Sequence, residues 1–412
     1  MRNAVALLLA VAVIVVSATG CWDRTELNDE ILVMAMGLDA APEGQIAVTF
    51  VAPIARLLGG GGGGGGGEGG GGNPVHVETV VARDIAQAFQ RYSTLTKRRV
   101  RFIHLGIVII GQEMAWRGIA TEIDFLSRYR ELRLTTLMAV AERTAAEIAS
   151  VQSIFESNPA DLIEGVVRGA ESKGLGVTTT LRQVLYEIGV PSVEVVLPIL
   201  RIVSHQVGQD GGGGATGSPD QGSSSSHTHL RYDGAAVFKG DKMVGSLTRE
   251  QNSLVAILQG RHGLGIITMP DPEVPGEDIS FELTQETRRL NTGFSDGSPF
   301  VNLLIKPEGN IVEVTSDRDY MTREGMRTLE EAASRHLQEQ MKAIISQTQS
   351  EWNADIIGFG RSFKKYFLTE QEWLKYSWNN VYRDVDISLD VQFHIRRVGL
   401  SWKPTNRPEA AP

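Results

Sequence analysis

Three features of the 412-residue sequence predict an α+β protein of two to three mixed domains behind an N-terminal lipoprotein-type signal peptide. Helix-period and strand-period segments alternate through the first half and come in blocks in the second. Two glycine-rich tracts, at 59–72 and 208–226, punctuate the chain. An uncharged apolar run, Ala4–Val16, precedes the single cysteine, Cys21.

Arg2 supplies a positive charge, Ala4–Val16 an apolar middle and Ala18-Thr19-Gly20 a small-residue exit, the three parts of a secretory signal at 1–20. The run is shorter than the roughly 20 residues of a spanning helix. A thiol directly after the small residues marks lipid attachment at Cys21. Two acyl chains hold a protein at a bilayer where one is marginal. The residues alone leave two alternatives: a cleaved signal with an unmodified Cys21, and an uncleaved anchor helix.

Hydrophobic content of 42% and charge of 22% are ordinary for globular domains. The net charge of −9 argues against a general nucleic-acid binder. With its one cysteine acylated, the chain must fold without disulfides. Neither glycine tract can bury apolar surface, so both are expected to be flexible. No Lys-Ser or Lys-Thr follows either tract, which argues against a phosphate loop.

Ile31–Asp39 reads as a buried strand and Gln45–Pro53 as its hairpin partner, with Pro42-Glu43-Gly44 at the turn. Val81, Ile85, Ala88, Phe89 and Tyr92 recur at helical spacing. Val100–Ile110, closed by Gly111, is an apolar, β-branched central strand. Glu113–Arg128 is helical and Leu132–Ala141 a further strand. Thr144-Ala-Ala-Glu147 matches a capping box, and Asn158-Pro159 a cap followed by proline at the first helical position. Thr180–Ile188 is a short helix and Val193–Val203 an extended segment. These define one domain at 21–203, with 59–72 as an insertion.

A Gly/Ser-rich linker is expected at 204–229, a middle domain at 230–292 and a C-terminal α+β domain at 293–401. Leu230–Met243 reads as a hairpin about Lys239-Gly240-Asp241-Lys242, and Thr248-Arg-Glu-Gln251 as a helix start. Gly265–Met269 and Ile279–Leu290 are strand candidates. Val301–Lys306 and Asn310–Thr315 flank Pro307-Glu308-Gly309 as a second hairpin. Met326, Leu329, Ala333, Leu337, Met341, Ile344 and Ile345 form the apolar stripe of a long helix. Val385, Ile387, Leu389, Val391, Phe393 and Ile395 alternate with polar residues as a strand buried on one face. Residues 402–412 form a disordered tail.

No catalytic constellation emerges, and neither a metal nor a cofactor is expected. The sequence holds no Gly-x-Ser-x-Gly elbow and no His-Glu-x-x-His motif. His227-Thr-His229 has ligand-like spacing, but only Asp233 stands near enough to help, so solvated histidines at a linker end are the simpler reading. His104 lies in the expected central strand, as a core or interface residue or a pH-sensitive one. The aromatic run Tyr366, Phe367, Trp373, Tyr376 and Trp378 reads either as a recognition surface or as the cover of one end of the final sheet.

Five stretches in order resemble the Ger(x)C lipoproteins, the C subunits of spore nutrient germinant receptors. They are Gly20–Asn28 with Gly37-Leu38-Asp39; His104–Gly111; Asp124–Arg128 with Glu131–Leu134; Gly234–Lys239 with Lys242–Gly245; and Ala354–Gly360 with Trp378 and the terminal strand. The tract at 59–72 departs from that pattern as an insertion or low-complexity replacement. The resemblance implies three α+β domains and a non-enzymatic subunit with Cys21 as the lipid site. It further implies attachment to the outer face of the inner spore membrane, beside an integral membrane receptor subunit and a permease-like subunit. The alternative function is a solute-binding lipoprotein of a transporter, which predicts two similar α/β lobes.

Overall fold

A computed structural model describes residues 3–4, 29–54, 75–152, 156, 158–190, 192–205, 227–261 and 265–397. Cys21, both glycine-rich tracts and the tail lie outside the described residues.

The chain begins with β1 (Glu30–Leu32), β2 (Ala35–Ala40), β3 (Ile46–Pro53), β4 (Val75–Ala82), α1 (Ile85–Thr94), β5 (Arg99–Arg101) and β6 (Ile107–Gly111). It continues through α2 (Gln112–Arg117), α3 (Ala120–Arg128), β7 (Leu137–Ala141), α4 (Ala145–Ala149), α5 (Pro159–Ser172) and α6 (Leu181–Gly189). Then come β8 (Val196–His205), β9 (His227–Lys239) and β10 (Lys242–Leu247). Eight of these strands form one mixed sheet in the order β10-β9-β8-β7-β6-β2-β3-β4. Its centre, β2-β6-β7-β8, is parallel, and its flanks are antiparallel. A parallel centre covered on both faces requires apolar side chains in both directions. In β6, Val108 and Ile110 join the core with α1, α3 and α6, whereas Ile107 and Ile109 join the core with α4 and α5.

The second lobe contains α7 (Arg249–Gln259), β11 (Ile266–Pro270), β12 (Asp278–Ser295), β13 (Ser298–Val314) and α8 (Arg323–Gln347). It ends in α9 (Phe359–Phe363), α10 (Glu370–Tyr376), α11 (Trp378–Val381), β14 (Asp386–Val391) and β15 (His394–Arg397). Its five-stranded sheet runs β11-β12-β13-β14, with β15 beside the far end of β13. The two lobes are unlike each other, and they share one core. Val255, Ile257 and Leu258 of α7 pack with Val196, Ala235 and Val237 of the first sheet and with Phe281, Val301 and Leu303 of the second.

Strand pairing crosses the expected domain boundaries. His205 of β8 pairs with His227 of β9, so the segment at 204–229 joins neighbours in one sheet. The boundary at 292/293 falls within the long β12–β13 hairpin.

Several expected elements change. His104 sits exposed in a turn between β5 and β6, not inside a strand. Gly118, at φ 116°, divides the helix expected at Glu113–Arg128 into α2 and α3. Pro307-Glu308-Gly309 is not a turn: β13 passes straight through it, and the hairpin turns at Asp296-Gly297, both with positive φ. Proline is tolerated there because the neighbouring strand is broken, with β14 pairing up to Ile305 and β15 resuming at Glu308. The cap expected at Asn158 forms, Thr144 accepts from Glu147 N as one half of the expected capping box, and α7 starts at the expected Thr248.

The expected apolar stripe of α8 is buried at Leu329, Ala333, Leu337, Met341, Ile344 and Ile345. Three polar residues on the same helix cover the edge of the sheet. Ile395 N donates to Glu330 Oε1 at 2.9 Å, Phe393 N to Ser334 Oγ at 2.8 Å and Val391 N to Gln338 Oε1 at 3.1 Å. Four helical residues rise about 6.0 Å and two strand residues about 6.6 Å, so the two series stay in step. An open edge that invites pairing with another chain is thereby closed. Replacing Glu330, Ser334 and Gln338 together by alanine should cost about 1 kcal/mol per lost bond. Hydrogen exchange at Val391, Phe393 and Ile395 should accelerate, as read by mass spectrometry on terminal peptides.

Candidate functional site

The segment that follows α8 turns on one carboxylate. Asp355 is 2% exposed. Its Oδ1 accepts from Gly358 N at 2.7 Å and Phe359 N at 3.2 Å, and its Oδ2 from Gly360 N at 2.8 Å and the Trp378 indole at 2.9 Å. These bonds satisfy the N-terminal amides of α9 and join them to α11. Burial pushes the Asp355 carboxyl above its ordinary range, and the four donors pull the other way. Gly360 must lack a side chain, because a Cβ there would sit 2.5 Å from Ser192 O and from Trp378 Nε1. Phe363, Trp373 and Tyr382 pack around Trp378.

Ser192 and Glu194 belong to the first lobe, so this hub lies against the junction. Glu194 N donates to Asp355 O at 2.9 Å. The Glu194 carboxylate accepts from Gly240 N at 2.7 Å and from Asn379 Nδ2 at 2.8 Å. Gln259 Nε2 donates to Ile356 O at 2.7 Å, and Arg361 Nη2 to Glu187 Oε1 at 2.6 Å.

Beside these contacts opens a cleft of about 520 Å³. One face of α6 lines it with Arg182, Gln183, Tyr186 and Glu187, and Val193, Glu194 and Val196 continue that wall. The second lobe supplies Gln259 and Arg261 at the end of α7, together with Ile356, Ile357 and Arg361. Arg261 Nη2 donates to Thr178 O at 2.6 Å and lies 3.5 Å from Glu171 Oε1. Burial raises the pKa of Glu187 against the opposing pull of Arg361. Burial also pushes Glu194 up to about 7, with Gly240 N pulling it down and Asp355 adding to the rise. A small-molecule site at a domain junction has this size and this mix of aliphatic and convergent polar groups.

The residues singled out from sequence fall elsewhere. Cys21 lies outside the described residues. His229 is on β9 and His104 on an exposed turn, both away from the cleft lining. Among the described residues, no group of three or more His, Cys, Asp or Glu side chains is placed to hold a metal. Trp373 and Trp378 are fully buried core residues, whereas Tyr366 is 43% and Leu368 95% exposed. The sequence reading missed the cleft residues. Glu194 alone left a trace, as a single carboxylate within the apolar stretch Val193–Leu197.

Residues 23–202 match the family described as spore germination protein N-terminal domain, and residues 233–399 match spore germination B3/GerAC like, C-terminal. The chain belongs to the GerAC-like family of spore germination proteins. Spore germination protein KC of Bacillus subtilis (strain 168) is 23% identical, over 97% of this chain and 96% of its own. Spore germination protein YndF of the same strain is 20% identical over 95% and 96%. The crystal structure of the GerBC protein superposes with a TM-score of 0.54 at 14% identity, covering 87% of this chain and 96% of that one, a likeness of fold.

In this GerAC-like protein the resembling stretches mark places where backbones or buried groups meet. Asp39, which ends Gly37-Leu38-Asp39, accepts from Ala145 N at 2.7 Å and Ala146 N at 2.9 Å at the start of α4. A Cβ on Gly111 would collide with that carboxylate, and one on Gly106 with Glu164. Gly245 leaves room for the Trp352 ring.

Two measurements test the junction. Asp355→Ala should destabilise the GerAC-like protein by about 3 kcal/mol or more, because it strands buried donors; chemical denaturation reads the loss. Glu194 has a folded pKa above its ordinary one, so it favours the folded state below about pH 4.5, and that contribution fades as pH rises through about 7. Glu194→Gln should remove a decline on the order of 3 kcal/mol between those limits, seen in unfolding free energies across pH.

Proposed function

We propose that this protein is a non-enzymatic, lipid-anchored subunit of a spore nutrient germinant receptor. The observation that carries this reading is the placement of similarity. Spore germination family matches run through both halves, at 23–202 and 233–399, and Cys21 stands two residues ahead of the first match. Relatives called spore germination proteins align over nearly their whole length.

The physical role follows from the tether. Two acyl chains on Cys21 keep the body at the outer face of the inner spore membrane. There its surface meets an integral membrane receptor subunit and a permease-like subunit at a high effective concentration, which stabilises a complex without new contacts. Among the described residues, no helix is long and apolar enough to cross a membrane, so the anchor is the feature of this reading that holds the chain there.

Cys21→Ser should abolish incorporation of labelled palmitate and shift the protein from the spore membrane fraction to the soluble fraction. Retention in the membrane without label would refute the anchor. Deleting the gene should slow nutrient-triggered germination and leave germination by a nutrient-independent route unchanged. Normal responses to every nutrient, in a strain lacking paralogues, would refute the receptor role.

A further inference from the structure

We propose that the cleft between the lobes binds a small organic carboxylate, held at its charged end by Arg182 and Arg261 and along its apolar body by Val193, Val196, Ile356 and Ile357. The proposal goes beyond the receptor reading and depends on neither the anchor nor the partners.

The size of the cleft, about 520 Å³, suits a metabolite-sized molecule rather than a protein segment. Its chemistry then selects the charge. Arg361 is already paired with Glu187 at 2.6 Å. Glu194 is 4% exposed, and its oxygens accept from Gly240 N and Asn379 Nδ2. Glu194 is therefore buried with both oxygens engaged, and the charge of Glu187 is already opposed by Arg361 and Arg261. The arginines differ. The Arg182 guanidinium is exposed and makes no hydrogen bond or ion pair among the described residues. Arg261 commits one nitrogen, Nη2, to Thr178 O and to an ion pair with Glu171 Oε1 at 3.5 Å. Among the described residues the cleft lining thus sets three guanidinium groups, Arg182, Arg261 and Arg361, against two carboxylates, Glu187 and Glu194, which leaves an excess of positive charge. Guanidinium groups bind carboxylates through paired, charge-assisted hydrogen bonds. The four aliphatic side chains, two from each lobe, give the ligand a reason to carry an apolar body. They also mean that an occupant bridges the lobes, in line with the Glu187–Arg361 and Glu194–Asn379 contacts.

The test is calorimetric titration of the full-length protein in detergent with 3-methylbutanoate and with benzoate. 3-Methylbutan-1-amine and inorganic phosphate serve as controls. Saturable binding of at least one acid, stronger than that of either control, is expected. Arg182→Ala should weaken it by about tenfold, and this exposed residue can be replaced without disturbing the fold. Hydrogen exchange across 356–361 should slow when the acid is present. No saturable binding of either acid would overturn the proposal, as would equal binding by the amine. Tighter binding by phosphate would overturn the carboxylate assignment. Unchanged affinity in Arg182→Ala, with Arg261→Lys also unchanged, would overturn the site. Failure here leaves the palmitate and germination experiments unaffected, so the two readings fall separately.

Discussion

A buried carboxylate with four donors and, among the described residues, no cation bonded to it is expensive to desolvate, and Asp355 is such a group. Its position makes the expense structural. The three amides it accepts belong to the start of α9, which would otherwise bury unsatisfied N–H groups. The indole it accepts belongs to Trp378, around which Phe363, Trp373 and Tyr382 pack. Its own main-chain oxygen receives Glu194 N from the first lobe. One residue therefore sets the path of the chain after α8, the aromatic core and the seating of the lobes.

That seating is continuous. Helix α7 follows directly on β10, an edge strand of the first sheet, and packs against both sheets. A mobile joint would show few apolar contacts across it. Here apolar side chains of both lobes belong to one core, and the cleft opens at its rim. An occupant of that cleft would act on two bodies already tied together by side-chain hydrogen bonds.

Much of the fold was legible because local rules govern it. Strands β2 and β3 with their Pro42–Gly44 turn, the caps at Thr144 and Asn158, the helix start at Thr248, and the stripe of α8 all followed from periodicity and capping chemistry. The turn of the hairpin at 278–314 was not legible locally, because Pro307-Glu308-Gly309 looks like a turn to any local rule whereas the chain turns at Asp296-Gly297. What permits Pro307 inside a strand is the gap between β14 and β15, some 80 residues further along the chain. The cleft was hidden for the same reason. Arg182, Glu194, Arg261 and Arg361 are scattered over about 180 positions and form no motif.

By itself the amino-acid order determined the α+β class, most element positions and the family resemblance, because each depends on residues close together or on short marked stretches. It could not decide which strands share a sheet: β8 and β9 are neighbours despite the glycine-rich segment between them, and β14 and β15 lie parallel to β13. Only the tertiary structure decided that, and with it the burial of Asp355, the covering of the β14–β15 edge by α8 and the convergence of charges beside Glu194. The physical reason is that pairing, burial and desolvation are set by groups distant in the chain, and folding alone brings them within hydrogen-bonding range.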